Sequence, residues 1–362
     1  METVRVNLAE RSYDIEIDAG NLANAGRFLA DRGKVTHVVI VTDEHVHRPY
    51  AMQVAEALGE REIEVDVIVV TPGEESKSLD VAAGLWQGLL ELGADRRSVV
   101  AAVGGGVVGD LAGFVAATFA RGLRFFQVPT TLLAQVDSSV GGKVGINLPE
   151  AKNMLGAFHQ PLGVLVDTAT LATLPVREYR AGLAEVVKYG AALDAELFDY
   201  LEKHVAAINA HEQDALIHVI TRCCQLKAAI VEEDERDETG RRAVLNFGHT
   251  FGHAFETLAW SGDNPLLHGE AVAIGMVCAA RLAERLGRVD RPFTVKLQTL
   301  LETFGLPVAV PKLDADRILN AMMSDKKVEY GKLQFVLPTA LGRAELVGDI
   351  RPAEVRAALA NR

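Results

Sequence analysis

Hydrophobic and polar positions follow one pattern before Pro175 and another after it. In the first half, short runs rich in Val, Ile and Ala recur at 37–42, 65–70, 98–103, 124–128 and 163–166, after two briefer strand patterns at 4–8 and 13–17. Amphipathic stretches at 21–32, 51–58 and 79–92 separate them with the period of helices. Apolar strands alternating with helices predict a parallel sheet covered on both faces. Such a sheet binds ligands beyond the carboxyl ends of its strands. Asp43, Glu74, Lys77 and the glycines that begin at Gly104 stand at such ends.

Past Pro175 the strand signal fades. Helical patterns occupy 177–190, 195–208, 213–231, 244–258, 270–286 and 295–304, a hairpin falls near 333–337 and 344–347, and a last helix follows. A chain of 362 residues is too long for one ordinary core. We therefore expect two domains, an α/β domain with a parallel sheet over 1–175 and a mainly α-helical domain over 176–362. The acidic run at 232–238 reads as a solvated loop.

Composition narrows the function classes. At 49% hydrophobic and 24% charged, the chain has the make-up of a soluble globular protein. No apolar run has the length of a membrane span, and Met1-Glu-Thr-Val-Arg is unlike a signal peptide, so no membrane partner is expected. Cys223, Cys224 and Cys278 fit neither a disulfide framework nor thiolate zinc spacing, which points to a reducing cytoplasm. A net charge of −12 with no offsetting basic stretch argues against nucleic acid.

The densest candidate chemistry lies between Arg241 and Glu270. His249 and His253 are four apart, Asn246 precedes His249 by three and Arg242 precedes Asn246 by four, so one continuous helix would carry all four on a stripe. Phe247, Phe251 and Phe255 would fill its core side. His268 returns after a loop. Imidazoles from separate helices, backed by a carboxylate, make a zinc-type site with a position left for substrate. Glu185, three before Lys188 in an otherwise apolar helix, can be that carboxylate, and Lys188 a substrate contact. Taken as an isolated feature, the two read as a surface ion pair.

Two glycine-rich stretches add to this. Gly104-Gly-Gly-Val-Val-Gly-Asp110 follows a strand and opens a helix, the arrangement that lets a backbone approach a pyrophosphate at a helix N-terminus. Gln127-Val-Pro-Thr-Thr131 leads into Asp137-Ser-Ser-Val-Gly-Gly-Lys143 and on to Lys152-Asn153, which reads as a ligand loop closing on an anion. Asp325-Lys326-Lys327 reads equally as an exposed helix end and as a phosphate contact.

These motifs, with Pro72-Gly-Glu-Glu-Ser-Lys77, Leu174-Pro175 and His268-Gly-Glu270, resemble the 3-dehydroquinate synthase family in order and almost end to end. The resemblance implies a Rossmann-like N-terminal domain binding NAD, a helical C-terminal domain, an active site between them, and a homodimer. It implies metal ligands Glu185, His249 and His268 for one divalent ion, Zn2+ or Co2+, with His253 handling protons. The cofactor would meet Asp43, Glu74, Glu75, Ser76, Lys77, Gly105, Gly106, Val107, Val108, Gly109, Asp110, Thr130, Thr131, Lys143, Lys152, Thr170, Leu171, Ala172 and Thr173. The substrate would meet Asp137, Lys143, Asn153, Lys188, Lys227, Arg242, Asn246, His253 and one of Lys326 and Lys327. Lys188, His253, Asn246, Lys143 and Asp137 would carry the catalysis.

The implied reaction turns 3-deoxy-D-arabino-heptulosonate 7-phosphate into 3-dehydroquinate and phosphate, through transient oxidation, elimination, re-reduction and aldol closure. Two rivals share the pattern. One is a cyclase for another sugar phosphate such as sedoheptulose 7-phosphate, and the other is a metal-dependent polyol dehydrogenase. A substrate without a carboxylate needs fewer cations than Lys143, Lys152, Lys188, Lys227 and Arg242 supply, which favours the first reading.

Overall fold

The computed structural model describes residues 1–149, 151–259, 265–323, 328–329 and 332–360. It divides into two compact units, Met1–Leu174 with Leu216–Arg236, and Pro175–Ala215 with Asp237–Arg362. A single cut at Pro175 therefore does not describe the chain, because residues 216–236 pack with the first unit.

The first unit is built on a seven-stranded sheet. Its strands are β1 (Glu2–Val6), β2 (Tyr13–Asp18), β3 (His37–Asp43), β4 (Glu64–Val70), β5 (Val99–Gly104), β6 (Arg124–Pro129) and β9 (Gly163–Asp167), with β7 (Lys143–Leu148) and β8 (Ala151–Phe158) forming a separate antiparallel hairpin. The order across the sheet is β1-β2-β9-β6-β5-β3-β4, parallel throughout except for the edge pair β1–β2. Alternate residues of one strand feed opposite cores, as a pleated strand dictates. Val38 and Ile40 pack with Phe28, Val54 and Leu58 from α1 (Ala25–Ala30) and α2 (Met52–Gly59). Val39 and Val41 pack with Leu85, Leu89, Leu111 and Val115 from α3 (Leu79–Glu91) and α4 (Gly106–Thr118). Burying both faces explains why these strands read as unbroken apolar runs.

Strand β3 leads outward to β4, whereas its neighbour β5 leads the other way to β6, so the connections diverge between β3 and β5. That divergence is where doubly wound sheets hold ligands. Asp43 and the glycine turn lie side by side at its carboxyl edge, since Thr42 is paired with Val103.

Three expectations for this unit change. The stretch 21–32 is a 3₁₀ turn, Asn21–Asn24, followed by the short helix Ala25–Ala30. The presumed ligand loop after Asp137 contains the hairpin β7–β8, hidden in the sequence because Gly145 and Gly156 break the strand pattern. Both glycines are needed there, as a Cβ on either would stand within 2.6 Å of the opposite strand's carbonyl oxygen. Finally, the acidic run is anchored: Glu232 accepts from the backbone N and Nδ2 of Asn7 at 2.6 and 2.8 Å, and Glu235 pairs with Arg11 at 2.6 Å.

The second unit is mainly helical. It contains α5 (Val176–Leu193), α6 (Ala195–Asn209), α8 (His249–Ala259), α9 (His268–Arg285), α10 (Arg291–Thr303), α11 (Ala315–Met323), α12 (Pro352–Ala358) and the hairpin Phe335–Ala340/Arg343–Val347. Helix α7 (Gln213–Glu233) begins in this unit and runs into the stretch assigned to the first. Glycine sets the closeness of α5, α8 and α9. A Cβ on Gly269 would lie 1.9 Å from the Ala181 carbonyl oxygen, and one on Gly275 would lie 2.1 Å from that of Gly248. Among the described residues no helix is long and apolar enough to cross a membrane.

Candidate functional site

The expected helix over 244–258 starts later. Residues Arg241–Asn246 form a 3₁₀ turn, Gly248 has φ +83°, and α8 begins at His249. A Cβ at Gly248 would meet the backbone N of Met276 at 2.8 Å, so close packing against α9 requires both the glycine and the break. Arg242 and Asn246 therefore sit on the turn rather than on a continuous helical stripe with the histidines. Phe247, Phe251 and Phe255 are fully buried, as their spacing predicts.

Three helices bring the metal-type donors together. Glu185 of α5 is fully buried, and its Oε1 lies 3.6 Å from Nε2 of His249 and 3.5 Å from Nε2 of His268. One donor atom from each residue lies within 4.8 Å of the other two. Donors placed about 2.1 Å from a tetrahedral cation stand roughly 3.4 Å apart, so the spacing suits a shared ion. The imidazoles are also held from behind. Nδ1 of His268 is 3.2 Å from Oε2 of Glu256, and Nδ1 of His249 is 3.2 Å from the Phe247 carbonyl oxygen. Such contacts fix which ring nitrogen faces a metal. Burial alone would lower the pKa of His268, but Glu185 and Glu256 outweigh it and push it to about 9.

His253 does not join the donor triad. Its ring centroid is 5.5 Å from that of His249 and 6.2 Å from that of His268, beside the cluster. Lys188 is 2% exposed and contacts the Glu185 carboxylate directly, so this pair is interior rather than a surface ion pair. Arg177 braces the start of α9 through two 2.7 Å bonds to Glu270, which also accepts from the Leu267 backbone N at 2.9 Å. Sequence reasoning missed Glu256, although it lies seven residues, two turns, past His249 on the same helix.

In the first unit the expected cofactor residues gather at strand ends. Glu74, Glu75 and Ser76 form a 3₁₀ turn after β4 with Lys77 as its cap; Gly105 and Gly106 follow β5; Thr130 and Thr131 follow β6. Thr170, Leu171, Ala172 and Thr173 lie in the turn after β9. Not all of them present side chains outward. Val108 and Leu171 point into the core, and the Ser76 hydroxyl donates to the Thr71 carbonyl. The glycine turn is tight because of neighbouring side chains. A Cβ on Gly104 would strike Val108, and those on Gly105, Gly106 and Gly109 would reach 3.0 Å from Thr131, Ser138 and Gln127.

Polar side chains link these ends. Lys77, 4% exposed, donates from Nζ to Asp110 Oδ2 at 2.7 Å and to Asn153 Oδ1 at 2.6 Å. Burial works against its charge, yet Asp110 and Glu74 outweigh burial and hold its pKa above the usual lysine value. Lys227 donates to both the backbone oxygen and Oδ1 of Asp137, at 2.8 and 2.7 Å. Gln135 Nε2 ties Pro129, Asp167 and Thr170 together at 3.1–3.2 Å. Asp43 Oδ1 caps its own turn at His45 and Val46. Lys143 and Lys152 lie exposed on the hairpin. Lys326 and Lys327 lie outside the described residues.

Residues 67–181 match the model for the 3-dehydroquinate synthase N-terminal domain and residues 182–328 that for the C-terminal domain. A 3-dehydroquinate synthase of Rhodopirellula baltica is 47% identical over 99% of this chain and 97% of its own, and one of Pelobacter propionicus is 48% identical over 96% of each. Among solved structures, a 2-epi-5-epi-valiolone synthase from Streptomyces hygroscopicus with NAD+ and Zn2+ bound is 32% identical, with a TM-score of 0.88 over 98% of this chain and 97% of that one. A 2-deoxy-scyllo-inosose synthase complexed with carbaglucose-6-phosphate, NAD+ and Co2+ is 27% identical, with a TM-score of 0.89 over 99% of both chains. A probable glycerol dehydrogenase from Sinorhizobium meliloti, at 18% identity and a TM-score of 0.65 over 94% of both chains, shares the fold alone. By family models and by full-length identity, this chain belongs to the 3-dehydroquinate synthase family.

Proposed function

We propose that this chain converts 3-deoxy-D-arabino-heptulosonate 7-phosphate into 3-dehydroquinate and phosphate, a step of the shikimate route to aromatic amino acids. The observation that carries the reading is the convergence of Glu185 Oε1, His249 Nε2 and His268 Nε2 at a spacing suited to one tetrahedral cation. Two imidazoles and a carboxylate accept zinc and cobalt alike. The glycine turn at the start of α4 and the strand-end residues around it suit the pyrophosphate of NAD.

When bound, NAD and the divalent ion supply a hydride acceptor that returns what it takes and a Lewis acid for hydroxyl oxygens. The chain's own residues do the rest. Glu185, His249 and His268 hold the cation, and Glu256 and the Phe247 carbonyl orient the two imidazoles. Lys188 and Arg242, both buried, offer fixed cations to the substrate's carboxylate and phosphate. Lys227, steadied by Asp137, adds a third. His253 takes the proton of the carbon-five hydroxyl at a ring nitrogen and returns it when the hydride comes back. The transient ketone acidifies the hydrogen on the neighbouring carbon; that proton passes to the departing phosphate as the C–O bond breaks, and restoring the hydroxyl cancels the oxidation before ring opening and aldol closure. Asn246 and Asn153 orient hydroxyls, and Lys143 and Lys152 on the hairpin meet phosphate charge. We also read the protein as a cytoplasmic homodimer, a reading supported by three buried free cysteines and by the family.

The test is purified protein with NAD+, Zn2+ or Co2+, and each candidate sugar phosphate in turn. The expected result is phosphate release from the heptulosonate phosphate, no build-up of reduced-nicotinamide absorbance, and loss of activity on chelation. Faster phosphate release from sedoheptulose 7-phosphate would move the chain to another cyclase activity. Steady NADH production would make it a polyol dehydrogenase.

A further inference from the structure

Asn147 belongs to no motif singled out in the sequence, yet three of its polar atoms bond three residues in two separate segments of the first unit, the turn after β4 and strand β8. Its backbone N donates to the Lys77 carbonyl at 2.8 Å. Its Nδ2 donates to Glu74 Oε1 at 2.7 Å. Its Oδ1 accepts from the Asn153 backbone N at 2.8 Å. Lys77 Nζ in turn bonds Asn153 Oδ1 at 2.6 Å and lies 3.7 Å from Glu74 Oε1. The result is a closed ring: Asn147, Glu74, Lys77, Asn153 and back to Asn147.

The local backbone shows why an asparagine is needed. The β7–β8 pairing shifts register between Ile146 and Leu148, so Asn147 occupies an irregularity that turns its side chain out of the ladder. Across the hairpin, Asn153 has φ +54°, a conformation that asparagine tolerates better than most residues. Its amide N–H is bonded by the Asn147 side chain instead of by the ladder. A side chain at 147 must both donate and accept. Asp lacks the donor, and Ala lacks both groups.

We infer that Asn147 is a positioning residue that sets Glu74 and Lys77, on the cofactor side, and Asn153, on the substrate side, in one shared geometry. The inference rests on the proposed function for the roles of Glu74, Lys77 and Asn153; the ring itself is a property of the fold. Asn147 touches neither ligand in this scheme. It acts through Glu74 and Asn153.

The experiment measures NAD+ affinity by calorimetry and backbone hydrogen exchange at Asn153, in the wild type, Asn147→Asp, Asn147→Ala, Glu74→Ala and the Asn147→Ala/Glu74→Ala double variant. Losing a hydrogen bond to a charged group weakens NAD+ binding about tenfold in Asn147→Asp and Asn147→Ala. Exchange at Asn153 speeds up in Asn147→Ala and stays slow in Asn147→Asp, which keeps the acceptor. Because Asn147 acts in part through Glu74, the double variant loses less NAD+ affinity than the sum of the two single losses. The substrate KM rises in Asn147→Ala by more than kcat falls. Additive losses in the double variant, or unchanged NAD+ affinity in both Asn147 variants, would overturn the inference. A wild type that binds no NAD+ would overturn the underlying functional reading instead. A variant that fails to fold is replaced by Asn147→Ser, which keeps a short donor and acceptor and is expected to retain part of the NAD+ affinity; affinity unchanged from the wild type in Asn147→Ser would count against the inference.

Discussion

The two polar clusters are built on opposite terms. In the first unit, Lys77, Asp110, Asn153, Asn147 and Glu74 satisfy one another at 2.6–2.8 Å, so the cluster is complete as a piece of protein. In the second, Glu185 Oε1 stands 3.5–3.6 Å from two imidazole nitrogens, longer than ordinary hydrogen bonds and matched to donors around a common cation. One cluster shapes a surface against which a ligand is laid; the other is shaped for an ion at its centre. Changing a member of the first should therefore cost stability, and changing a member of the second should cost metal.

The sharpest break of this contrast is Glu185→Gln. It keeps the side chain's size and removes its charge, so we expect kcat/KM to fall about a thousandfold, the scale of several kcal/mol of lost Lewis-acid stabilisation. The melting temperature of metal-free protein should fall as well, because Lys188 loses its buried anionic partner, so the metal effect is read separately as lost zinc affinity of the folded variant. Next is Lys77→Met, which strips the ammonium from a nearly buried ion pair and leaves Asp110 in place. A loss of about 3 kcal/mol in urea unfolding is expected. Unchanged stability for Lys77→Met, or unchanged metal affinity for Glu185→Gln, would erase the distinction.

Glu256→Gln sharpens it further. Removing the carboxylate behind His268 should weaken metal binding about 10–100-fold, measured by competition with a chelating dye, with little loss of fold. The gentlest probe is pH. His268 is raised to about 9, so in metal-free protein its proton stabilises the fold below the ordinary histidine value, and that contribution fades as pH rises through about 9. Metal must displace that proton. Affinity should therefore rise up to about tenfold per pH unit between about 6.5 and 9, with proton release visible as a buffer-dependent binding enthalpy. A pH-independent affinity would remove His268 from the ligand set.

The strands and the glycine turn were legible because burial on both faces produces continuous apolar runs, and because Gly104, Gly105, Gly106 and Gly109 each sit where a Cβ would crowd a neighbour. The hairpin β7–β8 was not, since five consecutive residues of β8, Lys152–Gly156, are exposed and give no alternation of apolar and polar positions. The start of α8 was misplaced for a tertiary reason, as the positive φ of Gly248 serves contact with α9. Glu256 was overlooked because a charged residue late in a helix resembles solvated surface until its imidazole partner arrives from another helix.

By itself the sequence determined the alternation of strand and helix before Pro175, the helical character after it, and the identities of the candidate donors, because periodicity and residue chemistry are local properties. Only tertiary structure decided that Glu185, His249 and His268 meet from three helices, that residues 216–236 return to the first unit, and that Asn147 closes a ring. Amphipathic spacing shows that a face is buried but not against what, and the close approach of Gly269 to Ala181 and of Gly275 to Gly248 is set by packing between elements far apart in the chain.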